Sequence, residues 1–206
     1  DPNLAEWCRI AAEEDFRFAL DALKNKNLQS QYRSFPEVIL CSYGILSAIE
    51  LYRITGKEEY ARKAFEFARI ITDCQQKTYT DWDIPLRGFF FNSSDKKDIL
   101  HFFHVSHSQA PIVALVELIK EFRDHSDWMD WYSTILLFSE YLETIIDYTE
   151  PYYMFPASIY RTDESDQPTF EDQVRNGIRL SDKYYLRRFP VWFAFRGNNS
   201  LILSDA

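Results

Sequence analysis

Between Phe35 and about Gln76 the apolar residues recur at helical intervals, interrupted by one short hinge. Pro36 suits a first helical position, where its missing N–H costs nothing, and Val38, Cys41, Ile45, Ala48 and Tyr52 then share one face. Gly56 predicts a left-handed stop, and beyond it Tyr60, Ala64, Phe67 and Ile71 form a second stripe. So short a connection leaves room only for an antiparallel hairpin. The scheme repeats with Ile112, Leu115, Ile119 and Phe122 on one helix, then Ser126 as N-cap of another carrying Trp131, Ile135, Leu142 and Ile145. Leu4 to about Lys24 reads as a further helix, with Trp7, Ile10, Ala11, Phe18 and Leu23 turned inward. No segment shows a hairpin turn between alternating strands. The pattern therefore predicts an all-α chain of helical hairpins, with irregular or short β structure in long, aromatic-rich loops.

Composition narrows the class of partner. Apolar residues make up 46% of the 206 residues, and no uncharged run is long enough to span a membrane. The length suits one domain or a piece of a larger one. The net charge of -9, with Lys and Arg scattered, argues against nucleic acid, because nothing here would release the counterions of a phosphate backbone. Cys8, Cys41 and Cys74 lie on or at the end of predicted helices without a CxxC pair, so three buried thiols are expected. Aromatic residues reach 17% and crowd the segments between helices. Such rings either fill a helical core or offer faces to flat apolar ligand surfaces, sugar rings included.

The loops carry the chemistry. From Lys77 to His107, Asp81-Trp82-Asp83 sets two carboxylates around an indole, and Ile84-Pro85-Leu86-Arg87-Gly88 leads into Phe89-Phe90-Phe91. This segment either lines a pocket or forms a solvated acidic turn anchored by its Trp. Paired carboxylates matter in glycoside hydrolysis because one protonates the leaving oxygen while the other activates water or attacks, at separations of roughly 5–9.5 Å. His101, His104 and His107 follow at intervals of three, a spacing that allows a metal site on a helix but lacks the HExxH type of signature. Hydrogen-bonded or pocket-lining histidines are the alternative. The later loop, Glu150 to about Ser181, repeats the flavour with Tyr152, Tyr153, Phe155, Tyr160, Asp163 and Glu164. No Ser-His-Asp order, phosphate loop or dinucleotide fingerprint is present.

Three stretches taken together resemble the central part of bacterial proteins classed with family 9 glycoside hydrolases, over most of the chain. They are Asp81-Trp82-Asp83-Ile84-Pro85-Leu86-Arg87-Gly88-Phe89-Phe90, His101-Phe102-Phe103-His104 ahead of a helix, and Arg188-Phe189-Pro190-Val191-Trp192-Phe193-Ala194-Phe195-Arg196-Gly197-Asn198-Asn199. The resemblance implies a six-hairpin (α/α)6 toroid whose loops at one end form a glycan cleft, inverting cleavage of β-glucosidic bonds, and an extracellular or periplasmic location. That family's base lies in an Asp-Ala-Gly-Asp type motif and its acid is a Glu near the domain's end; neither motif occurs here, so no catalytic residue is carried over. The expected substrate-binding residues are Trp82, Asp83, Arg87, His101, His104, Tyr185 and Arg196, contacting an oligo- or polysaccharide by stacking and hydrogen bonds. No cofactor, metal, nucleic acid or membrane enters this reading.

Asp1-Pro2 at one end, and a helix opening at Leu201-Ile202-Leu203 that breaks off at Ala206, suggest an excised part of the toroid. Self-association through helix faces left uncovered is then expected. Two other classes fit the helical pairs: a solenoid scaffold binding a protein or glycan without catalysis, and a different six-hairpin sugar enzyme such as an unsaturated glycuronyl hydrolase. Loops of about thirty residues fit an enzyme cleft better than a regular repeat.

Overall fold

The computed structural model describes residues 1–24, 36–100, 109–150, 153, 158–163 and 177–187. These residues are mostly helical. The helices are α1 (Pro2–Lys24), α2 (Glu37–Thr55), α3 (Glu58–Asp73), α4 (Ala110–Glu121) and α5 (Trp128–Ile146), followed by a 3-10 turn at Asp147–Thr149. Three short strands close the described part: β1 (Ser158–Arg161), β2 (Ile178–Arg179) and β3 (Tyr184–Arg187).

The first hairpin forms where the apolar pattern places it. Pro36 stands just outside α2 as its cap residue, and its carbonyl accepts from Ile39 and Leu40 at 3.0 and 3.1 Å. Gly56 stops the helix at φ +68°, a conformation that spares only glycine a steric cost, and its N–H closes on the Tyr52 carbonyl at 2.8 Å. The chain then reverses into α3, whose Tyr60, Ala64, Phe67 and Ile71 are all buried. By length and composition α2 is apolar enough to cross a membrane, yet α1, α3 and α4 pack around it, as befits the central helix of a core.

The second hairpin lies alongside the first. α2 packs beside α4 and α3 beside α5, which makes two layers. Arg53 near the end of α2 donates to Glu121 at 2.7 Å and to Glu117 at 3.4 Å near the end of α4, so these two helices run parallel. Both short connections consequently sit at one end of the array and both long loops at the other. The cap of α5 is Asp127 rather than Ser126, whose hydroxyl instead donates to Asp127 at 3.0 Å. The inward stripe of α4 is shifted to Ala114, Leu115 and Leu118, with Ile112, Ile119 and Phe122 half-buried around it.

Helix α1 departs from its own pattern. Trp7 and Phe18, expected inside, are 67% and 70% exposed and Ile10 is exposed too, while Glu13 and Phe16 are buried. The reason is a convergence of donors on the Glu13 carboxylate: Lys57 Nζ at 2.5 Å, Tyr60 Oη at 3.0 Å and Arg17 at 3.1 Å, with Arg9 completing the set. Phe16 meets Tyr60 edge to face at 5.7 Å. A buried carboxylate so fully satisfied, plus one aromatic contact, docks the helix by the side opposite its longer apolar stripe. Cys8 rides on that outward side and is exposed, unlike Cys41 and Cys74, whose burial pushes both thiols up to about 12.

A β-hairpin also exists where none was expected. β1, β3 and β2 form an antiparallel sheet in that order, and the β2–β3 turn runs through Leu180-Ser181-Asp182-Lys183. It lacks the Gly or Asn signal of a tight turn; the Ser181 hydroxyl oxygen instead accepts from the N–H groups of Lys183 and Tyr184 at 3.3 and 3.2 Å. Ile159 and Leu186, paired across the sheet, are fully buried and join it to the helical core.

Candidate functional site

The long-loop end is built around a ribbon from Gln76 to Phe89. Gln76 N–H donates to Phe89 O at 2.9 Å, Gly88 N–H to Gln76 O at 2.7 Å, and Thr80 N–H to Leu86 O at 3.0 Å. The Thr80 hydroxyl oxygen accepts from Leu86 N at 3.0 Å, so the stem is tied on both edges. Gly88 seats the ribbon on α5. It has φ +93°, and a Cβ there would lie 1.9 Å from the Leu137 carbonyl oxygen, an approach only a hydrogen permits. The buried Gln75 amide then donates to Gly88 O at 2.9 Å and to Thr134 O at 2.8 Å, pinning ribbon to helix. Phe89 and Phe90, from the aromatic run, are core residues, and Phe91 is half-buried.

At the tip, Asp81 is exposed and Trp82 is half-buried. The Trp82 ring stacks on Phe89 at 5.6 Å and 16°, and on Tyr184 of β3 at 4.5 Å and 26°. Asp83 N–H donates to Leu180 O at 2.8 Å, and its carboxylate pairs with Arg179, which also pairs with Asp182. The Asp182 hydrogen bond, with the Asp83 charge beside it, pushes the Arg179 guanidinium upward from its ordinary range. Tyr185 is the cross-strand neighbour of both Arg179 and Tyr160. Trp82, Asp83 and Tyr185 are thus brought to one ribbon-and-sheet junction. Arg179 completes that junction and was missed, since it stands 96 residues from Asp83 in a two-residue strand with no local signal.

On the stem, Arg87 takes a different direction. Its Nε and Nη2 donate to Glu140 Oε2 of α5 at 2.9 and 2.6 Å, and its guanidinium lies 4.5 Å over the ring of Tyr79. Tyr79 is 61% exposed. His101, His104 and Arg196, together with His107, lie outside the described residues. Among the described residues no three His, Cys, Asp or Glu side chains gather as a metal site. The arrangement offers hydrogen-bonding groups and aromatic faces, which is the equipment of recognition. Comparison with protein-family models, curated proteins and solved structures finds no significant match to the chain.

Proposed function

We propose that the chain forms part of an (α/α)6 toroid in a carbohydrate-active enzyme resembling family 9 glycoside hydrolases, and that its long-loop end faces a β-linked glycan. The observation that carries this reading is the polarity of the helical array. Short turns lie at one end, and the ribbon and sheet lie at the other, with Asp83, Arg179, Tyr185, Arg87 and Tyr79 on their outer surface. Those side chains mix planar rings with donors and acceptors, the composition that a polyhydroxylated ligand requires. Parallel packing of α2 and α4 is also the step from which repeated hairpins close a ring. An extracellular or periplasmic site of action belongs to the same reading.

The test is reducing-sugar release from a panel of β-glucans and related plant polysaccharides by the full-length polypeptide, with affinity electrophoresis of this chain in the same glycans. Release by the former and retardation of the latter support the enzyme reading. Neither, with both proteins folded, removes it. A scaffold that binds a protein or glycan without catalysis is favoured by one observation, the exposed Leu4, Trp7, Ile10 and Phe18 of α1. That face is also where the chain is expected to self-associate, and sedimentation of Trp7→Ser against the parent chain reads it directly.

A further inference from the structure

We propose that the outer face of α1 is a docking surface for a basic amphipathic helix of a partner protein, a role independent of the glycan reading of the long-loop end. Every residue from Asp1 to Cys8 is exposed, so this stretch of the helix stands clear of the core. Leu4, Trp7 and Phe18 are 58%, 67% and 70% exposed. At about 100° of rotation per residue, these three and Ala11 fall within about 60° of one another. They form one stripe, about 21 Å long from Leu4 to Phe18 at the rise of an α-helix and one side chain wide. Scattered singly, such residues would need no explanation; aligned, they mark a contact surface. A stripe this long and narrow fits a helix laid along it, and the small Ala11 at mid-length lets the partner's backbone come close.

Charge selects the partner. The basic side chains of α1 are all engaged: Arg9 pairs with Glu6 and Glu13, Arg17 pairs with Glu13, and Lys24 meets Asp21 at 4.0 Å. Glu14 and Asp15 are exposed and have no ion pair among the described residues. The same rotation sets them about 20° outside the stripe, one on each edge. The apolar stripe is thus bordered by free carboxylates, and lysines or arginines flanking the apolar positions of a docked helix would pair with them. Two other occupants carry the wrong charge. An anionic membrane surface repels both edges, and a second copy of α1 brings the same carboxylates to them. The net charge of -9 adds attraction for a cationic partner at longer range.

Fluorescence anisotropy of a labelled Leu/Lys peptide patterned as an amphipathic helix tests this at about 0.15 M salt, with its Leu/Glu counterpart as the acidic control. The expected result is saturable binding of the Leu/Lys peptide by the parent chain. Binding should weaken about tenfold in Phe18→Ser, and about tenfold in the double variant Glu14→Lys, Asp15→Lys, all three being exposed positions. Amide shifts in NMR spectra of the complex should follow the stripe from Leu4 to Phe18, which separates docking there from attraction to an acidic chain at large. Undiminished binding in Phe18→Ser overturns the docking surface. Equal affinity for the Leu/Glu peptide overturns the charge selection. A parent chain that takes up neither peptide but dimerises through Phe18 assigns the face to a second copy. One that binds phosphatidylglycerol vesicles and no peptide assigns it to a membrane, and either result overturns the partner helix. The glycan reading stands or falls separately, by reducing-sugar release and affinity electrophoresis.

Discussion

Trp82 and Tyr79 stand on one ribbon three residues apart, and the fold treats them oppositely. Trp82 is wedged between Phe89 of its own ribbon and Tyr184 of the sheet, so its area serves to join two loops that are distant in the chain. Tyr79 meets a guanidinium on one side and stays 61% exposed. The difference lies in their neighbours. Trp82 sits at the tip, where β2 and β3 come down on the ribbon through the Asp83–Leu180 main-chain bond. Tyr79 sits on the stem, where the ribbon's outer surface has no second layer among the described residues. An aromatic-rich loop is therefore two things at once, an anchor and a presented surface, and residue type does not say which ring is which.

Several substitutions would break or sharpen this contrast. The largest effect belongs to Gly88, the seat shared by both rings. Gly88→Ala should cost about 4 kcal/mol or more in unfolding free energy, since its Cβ would collide with backbone rather than with a movable side chain. A urea titration matching the parent chain would mean the ribbon is not seated on α5. Trp82→Ala should cost about 2–3 kcal/mol in the same titration, below a fully buried Trp because this one is half-exposed. A negligible loss there would remove the anchor from the comparison.

The staple of α1 gives a lock of another kind, separable by acid. The Lys57 hydrogen bond outweighs the penalty of desolvation and, with Tyr60 and Arg9, holds the Glu13 carboxyl down at about 2. Ionised Glu13 then stabilises the fold fully above about pH 4.5, and that contribution fades as pH falls towards 2. Proteolysis of α1 should accelerate over this window, and Glu13→Gln should already show the faster cleavage at pH 7. The Trp82 stack is held by ring-face contacts with Phe89 and Tyr184 and should not follow the same curve. The smallest expected effect is that of Tyr79→Ala, which should leave stability within about 0.5 kcal/mol, as befits a ring that supports nothing. A larger loss would make Tyr79 a second anchor.

Much of the helical layout was legible because local and tertiary preferences agreed. In α2 and α3 the apolar spacing, Gly56 and the short hinge all favour the hairpin that forms, and nothing competes with them. In α1 they disagreed. Its apolar stripe pointed to Trp7 and Phe18, but the four donors brought to Glu13 by α1 itself and by the start of α3 decided the docked face. The β2–β3 turn was hidden for a related reason, since Ser181 supplies through its hydroxyl what turn-forming glycine or asparagine would have announced.

The candidate surface was half legible. Trp82, Asp83, Arg87 and Tyr185 were marked by their chemistry, while Arg179, Glu140 and Tyr79 acquire meaning only through partners far along the chain or across the ribbon. What the sequence determined by itself was the set of helices, the hairpin at Gly56 and the long aromatic, acidic loops, because periodicity, capping and turn chemistry act over a few residues. Which face of α1 docks, which aromatic is buried and which is presented, and which carboxylate each arginine holds were decided only by the tertiary structure. Those outcomes depend on solvent exclusion and charge pairing between segments tens of residues apart, and no local pattern carries that distance.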